Sequence, residues 1–215
     1  MAAKVVILTN QKGGCGKTTL AMNLAGVIGN DAKVLLIDGD PQGSAIRWAS
    51  SSPDDKPFPA AVMSLANVAE KVNREIKKYL ADYDYIVIDC PPAVDSSFTA
   101  SALLVADLAL IPVVPSPTDL WAAVAIQKLI TNVSDINEKL QARLVANMCQ
   151  SNASISKEAL SLIEEFEFSK MTTDIYQRTA YRQAAAFGGT VLDMDNPKAK
   201  QEIKNLVAEI HELLG

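Results

Sequence analysis

An α/β fold, with a doubly wound, mainly parallel sheet and helices on both faces, is predicted by three observations. Short apolar, β-branched runs recur along the chain with helical stripes between them. That alternation marks strands buried on both faces and joined by crossover helices. The first run leads straight into a glycine-rich turn, Gln11-Lys12-Gly13-Gly14-Cys15-Gly16-Lys17-Thr18-Thr19, and then into a helix-like stretch. The polar residues Asp38, Asp89 and Asn147 stand at the ends of later runs. Ligands of open α/β sheets bind beyond the carboxyl ends of the strands, where these residues would lie.

The elements follow in order. Val5–Thr9 reads as the first strand and Leu20 to Ile28 as the helix after the glycine turn. Val34–Asp38 is the second apolar run, and Ser51 to Pro59, with Pro53, Pro57 and Pro59, is a polar surface loop. Leu65, Val68, Val72, Ile76 and Leu80 fall on one face of a helix. Tyr85–Asp89, Leu108–Val114 and Arg143–Met148 complete the strands. Leu160, Ile163 and Phe166 make one more helical stripe, and Ile203, Leu206, Val207, Ile210 and Leu213 make the last. Such alternation implies right-handed crossovers. A length of 215 residues and 49% hydrophobic residues suit a single domain spanning 1–215. No internal repeat, low-complexity linker or separate helix-turn-helix segment is visible in it.

Composition narrows the function. No apolar run is long enough to cross a membrane. The first residues lack the charged-then-apolar layout of a secretory signal, so a cytoplasmic protein is expected. Cys15, Cys90 and Cys149 are odd in number and have no metal-type spacing, which argues for packing residues rather than a disulfide framework. A net charge of −5 does not advertise nucleic-acid binding, although it leaves room for a local basic patch.

The glycine turn carries the chemistry. A turn between strand and helix aims backbone N–H groups into one small space, and the helix N-terminus adds partial positive charge, so the site suits phosphate. Lys17 can reach the β- and γ-phosphates and the Thr18 hydroxyl can ligate Mg²⁺. The usual phosphate loop has glycine where Gln11 stands, and Lys12 is an additional lysine at its start. Asp38-Gly39-Asp40-Pro41-Gln42 places two carboxylates at the next strand end. Asp40 can orient or deprotonate a water for attack on the γ-phosphate, and Asp38 can act on the Mg²⁺ shell. Alone, an Asp-Pro turn would look the same. Asp89, ending an apolar strand before Cys90-Pro91-Pro92, suits a magnesium-holding carboxylate acting through a bound water. In Pro112-Val113-Val114-Pro115-Ser116-Pro117-Thr118-Asp119 the prolines fix a rigid corner, and Thr118 or Asp119 is expected to cap the helix beginning near Leu120. The Asn147 amide can read an adenine edge, and no guanine-reading Asn-Lys-x-Asp follows that strand, which favours ATP over GTP.

The glycine loop from Lys12 to Thr19, the segment Asp38 to Gln42 and the strand ending at Asp89 together resemble the ParA/MinD family of deviant Walker ATPases. The likeness is greatest to small, ParF-like partition ATPases without an N-terminal helix-turn-helix domain. Pro115 to Asp119 and the stretch from Arg178 to Leu214 extend it over essentially the whole chain. The resemblance implies ATP and Mg²⁺ as cofactors. It gives Lys12 the role of a signature lysine that reaches the partner's phosphates across a nucleotide-sandwich homodimer. Gly13, Gly14, Cys15, Gly16 and Thr19 would line the nucleotide with Lys17 and Thr18. Asp40 would position the attacking water, Asp89 would be the Walker B carboxylate, and Asn147 would contact adenine. Met148 departs from the arginine frequent at that position.

A ParA-like role further implies nonspecific DNA binding, with Arg178, Arg182, Lys198, Lys200 and Lys204 as candidates and a salt-dependent, phosphate-directed contact. It implies a ParB-like or adaptor protein that stimulates hydrolysis, a nucleoid-associated location, and segregation of a plasmid, a chromosome region or a large protein cargo. A MinD-like membrane-associated ATPase is the first alternative. The amphipathic segment Lys198 to Leu214 carries Glu202, Glu209 and Glu212 with few aromatics, so packing against the domain is expected rather than membrane binding. A metabolic ATP-dependent enzyme of the same fold is the second alternative. Cys15 and Cys90 lack the glycine context of a bridging cluster, and the lone His211 sits in the terminal helix.

Overall fold

A computed structural model of the chain describes residues 2–92, 97–150 and 167–215. Its strands are β1 (Lys4–Leu8), β2 (Val34–Asp38), β3 (Ala61–Ser64), β4 (Tyr85–Asp89), β5 (Leu108–Val113) and β6 (Gln141–Ala146). They form one sheet in the order β3-β2-β4-β1-β5-β6, and every pairing is parallel. Helices α1 (Lys17–Ile28), α2 (Ser44–Ser50), α3 (Val72–Lys77), α4 (Ser97–Leu103), α5 (Pro117–Ser134), α6 (Thr179–Phe187) and α7 (Pro197–Leu214) connect and follow them. The predicted doubly wound α/β fold is therefore present.

Strand side chains alternate between two cores. Val5, Ile7, Leu35, Ile37, Ile86 and Ile88 point to one face and pack with Phe98, Leu103, Leu120, Ile126 and Ile130 from α4 and α5. Val6, Leu8, Leu36 and Val87 point to the other, under α1, Trp48 of α2, and the buried stripe Ile203, Leu206, Val207 and Ile210 of α7. Continuous apolar strands are what two covered faces require. α1 is buried on nearly every side, and from Leu20 to Ile28 only Asn23 interrupts its apolar run. α7 presents its apolar face inward, with Leu214 buried more deeply than the expected Leu213.

One predicted element differs in the structure. Residues 65–80 do not form one helix: a 3-10 turn at Ala69–Lys71, entered through Ala69 with φ +47°, precedes the short α3. Leu65, Val72 and Ile76 are nonetheless buried, with Val68 and Leu80 packed against them. The edge strand β3 was unforeseen. The stripe of Leu160, Ile163 and Phe166 lies outside the described residues.

Two ends of this framework matter below. After β1 the chain travels toward the β2–β3 edge, whereas after β4 it passes to the other side of β1 to form β5. Adjacent strands that send their connections apart open a crevice at their carboxyl ends. Near the amino end of β4, a cleft of about 880 Å³ lies between the 51–59 loop, the end of α1 and α7, with Phe58, Tyr85, Phe187 and His211 on its walls. There Gly188 ends α6 with φ +71°, its carbonyl accepting from the Ser52 hydroxyl. A Cβ on Gly188 would lie 2.2 Å from the Ser52 nitrogen. Thr190 and Asp193 form a capping box over the 3-10 turn Val191–Asp193.

Candidate nucleotide site

The glycine turn emerges from β1 into the crevice. Gly16, at φ +90°, precedes α1, and no side chain caps that helix. Uncapped N–H groups at a helix start are available to an anion. Gln11, Lys12, Gly13 and Gly14 are exposed, while Cys15 and Lys17 are buried. A Cβ on Gly13 or Gly14 would meet nothing within 4 Å.

Side chains from several elements brace the loop backbone. Asn10, just past β1, donates to the Pro112 carbonyl at 2.7 Å and accepts from the Lys12 N–H at 3.2 Å. Lys17 Nζ donates to the Lys12 carbonyl at 3.0 Å, and the Cys15 thiol donates to the same oxygen at 3.3 Å. Burial pushes the Cys15 thiol above its ordinary pKa, against the pull of Lys17. Asn147, beyond β6, donates to the Cys15 carbonyl at 2.7 Å. Its amide nitrogen would stand 2.3 Å from a Cβ on Gly16, so only glycine allows this approach.

The carboxylates divide sharply. The register pairs Asp38 with Asp89 across β2 and β4, so both emerge at the same level. Asp38 is buried and accepts from the backbone N–H groups of Asp40 at 3.0 Å, Ala45 at 3.0 Å and Ile46 at 3.2 Å. It organises the turn into α2. Asp40 is half-buried, and its Oδ1 accepts from the Gln42 N–H at 2.9 Å. Asp89 is 1% exposed, and neither carboxylate oxygen has a hydrogen-bond partner of normal geometry. Burial pushes its carboxyl up to about 7; Thr18 and Lys17 pull it down, and Asp38 and Asp40 push it up. A buried carboxylate without a hydrogen-bond partner of normal geometry, beside a threonine hydroxyl, offers the oxygen ligands a hard divalent cation takes.

The corner after β5 corrects another expectation. Helix α5 begins at Pro117, and its N-cap is Ser116, whose Oγ accepts from the Asp119 N–H at 3.3 Å. Asp119 instead turns its carboxylate to Lys12, whose Nζ lies 2.7 Å away. Sequence reasoning missed this pair and the role of Asn10. Polar residues at a strand end were the available signal for Asn10; a contact across 107 positions leaves no local trace.

The basic candidates are not assembled into one patch. Arg178 forms an ion pair with Glu202, Nε to Oε1 at 2.9 Å, and stacks 5.4 Å from the Tyr176 ring centre. Arg182, Lys198 and Lys204 are exposed and Lys200 is half-buried. Helical spacing puts Lys200 and Lys204 on one side of α7 and Lys198 well round from them.

Residues 6–191 match the model of the CobQ/CobB/MinD/ParA nucleotide binding domain. The maintenance of carboxysome distribution protein A of Halothiobacillus neapolitanus is 31% identical over 210 residues, covering 97% of this chain and 96% of that protein. The sporulation initiation inhibitor protein Soj of Bacillus subtilis is 25% identical, covering 92% of this chain and 93% of Soj. Among solved structures, an aspartate-to-alanine variant of McdA of Cyanothece in complex with ATP aligns with a TM-score of 0.83 at 19% identity, over 97% of this chain and 96% of that one. At that identity the structural likeness speaks for the fold. Among the described residues, no helix is long and apolar enough to cross a membrane.

Proposed function

This chain belongs to the CobQ/CobB/MinD/ParA nucleotide-binding family, and on that premise we propose that it is an ATP-hydrolysing dimerisation switch that positions a large protein assembly. The observation that carries the proposal is the conjunction, at one crevice, of a phosphate loop bearing an additional lysine and a buried carboxylate without a hydrogen-bond partner of normal geometry. The relative from Halothiobacillus directs the cargo reading toward a protein assembly rather than a plasmid.

Each residue has a task in this reading. The backbone N–H groups from Gly13 to Thr19 cradle the phosphates, and Lys17 exchanges the Lys12 carbonyl for phosphate oxygen. Thr18 and Asp89 would hold Mg²⁺, with Asp38 fixing the neighbouring turn. The ion supplies positive charge against the phosphates when bound. Asp40, half-buried at the mouth, orients the attacking water and takes its proton. Lys12 reaches the partner protomer's nucleotide, a charge-assisted bond available only in the dimer. Asn147 holds the loop backbone through the Cys15 carbonyl and would also contact adenine. Hydrolysis removes the γ-phosphate and loosens the interface, which makes the switch timed.

Nonspecific DNA is the proposed track, through Arg182, Lys198, Lys200 and Lys204; Arg178 contributes less, since its charge is already paired with Glu202. An adaptor protein would stimulate hydrolysis and link the cargo. The apolar face of α7 is already covered by the domain, which supports the DNA-bound reading over a membrane-bound one. The test is binding to DNA with ATP, with ADP and without nucleotide. ATP-selective, salt-sensitive binding is expected; equal binding in all three states, or none in any, overturns the switch. ATP-dependent sedimentation with liposomes would establish the membrane-bound alternative instead. Asp40→Ala should retain ATP binding and lose turnover, and undiminished turnover would remove Asp40 from its task.

A further inference from the structure

Lys12 has its backbone in the phosphate loop and its side chain on α5. Its N–H donates to Asn10 and its carbonyl accepts from Lys17 and Cys15. Its ammonium is 2.7 Å from Asp119 Oδ2, in the first turn of α5. The Asp119 side chain is 7% exposed and the Lys12 side chain 42%, so the ion pair is half desolvated. The Ser116 hydroxyl also donates to the Asp119 carboxylate. An ammonium drawn to the phosphates of a second chain must give up charge and reach to Asp119 of its own chain, so the two anions compete for it.

We infer that Asp119 is a latch: it holds Lys12 in cis, so an ATP-bound dimer forms only by breaking one such ion pair in each protomer. The inference rests on the dimer reading above and adds a positioning residue that sets its threshold. Two features make the latch releasable. When Lys12 leaves, Asp119 keeps the Ser116 hydroxyl and the favourable field of the α5 N-terminus. The latch is also wired to the phosphates. Lys17 donates to the carbonyl of residue 12, so drawing Lys17 onto a phosphate removes a bond that fixes the residue bearing the latch. Nucleotide arrival thus loosens residue 12, and the second protomer's phosphates compete with Asp119 for its ammonium. A half-exposed ion pair is worth about a threefold change in an equilibrium, so two per dimer give about tenfold.

The experiment measures dimer dissociation constants by analytical ultracentrifugation with a non-hydrolysable ATP analogue. The chains compared are the wild type, Asp119→Asn, Lys12→Gln and the double variant. Asp119→Asn should tighten the dimer about tenfold and, since the coupling through Lys17 is reciprocal, should strengthen rather than weaken the monomer's hold on the analogue. In the Lys12→Gln background the same substitution should do nothing, which a merely structural role for Asp119 would not produce. Asp119→Ser repeats the measurement if the asparagine variant does not fold. An unchanged or weakened dimer for Asp119→Asn in the chain that keeps Lys12 overturns the latch and leaves the dimer reading standing. A wild type that stays monomeric at every analogue concentration overturns the dimer reading, and the latch with it.

Discussion

Gly13 and Gly14 at the phosphate loop and Gly188 at the far end stand in opposite surroundings. A Cβ on Gly188 would strike the Ser52 backbone at 2.2 Å, while one on Gly13 or Gly14 would meet nothing. Around Gly188 polar groups are paired: Ser52 with the Gly188 carbonyl, Trp48 Nε1 with the Gly189 carbonyl at 2.9 Å, and Thr190 with Asp193. At the loop end Asp89 is buried with neither oxygen in a hydrogen bond of normal geometry. One end is shaped by what the chain packs against and the other by what it is to receive. Stability should therefore reside at the first and activity at the second.

That contrast can be broken by four substitutions, beginning with the largest effect. Gly188→Ala should cost about 3 kcal/mol or more in thermal or denaturant unfolding, because it adds a backbone clash to a left-handed φ. A loss below about 1 kcal/mol would show that the far end yields. Asp89→Asn should lower ATP turnover about a hundredfold or more while raising the melting temperature. Its sign with pH follows from burial. The folded-state pKa of about 7 exceeds the ordinary 3.8, so folding favours the protonated carboxyl. Without added metal or nucleotide, stability is progressively lost as pH rises from about 4 to 7. The asparagine variant should lack that contribution, and identical pH slopes for the two chains would refute it. Thr190→Ala, which removes one arm of the capping box, should cost about 1 kcal/mol and leave turnover per folded molecule unchanged. Gly13→Ala should change stability by less than about 0.5 kcal/mol yet weaken ATP-dependent association. Comparable unfolding losses for Gly13→Ala and Gly188→Ala would erase the distinction.

The parts legible in the sequence were those with a local cause. β2 and β4 stand where their apolar runs stand, and β1 and β5 differ by a residue. The phosphate loop and the level of Asp38 and Asp89 follow from the same runs. β3 escaped because its four residues are half-buried or exposed at a sheet edge, with no alternation to mark it. The helical period over Leu65 to Leu80 was real as burial but not as helix, since Ala69 takes a left-handed turn before α3. Asp119 was read as a candidate cap because its spacing from the helix start is local information. Its pairing with Lys12 depends on β1 and β5 lying side by side, which only the assembled sheet decides.

The bracing of the loop by Asn10, Lys17 and Asn147 has a kinetic consequence. These residues hold the main chain from β1, from α1 and from beyond β6. A cradle supported from three sides behaves as a mould that keeps its form between castings. Phosphate entering it meets donors already aimed, so little ordering entropy opposes entry. Under the proposed switch, exchange would turn on the trade of one Lys17 hydrogen bond for another, and the slow steps would be left to chemistry and to the parting of protomers.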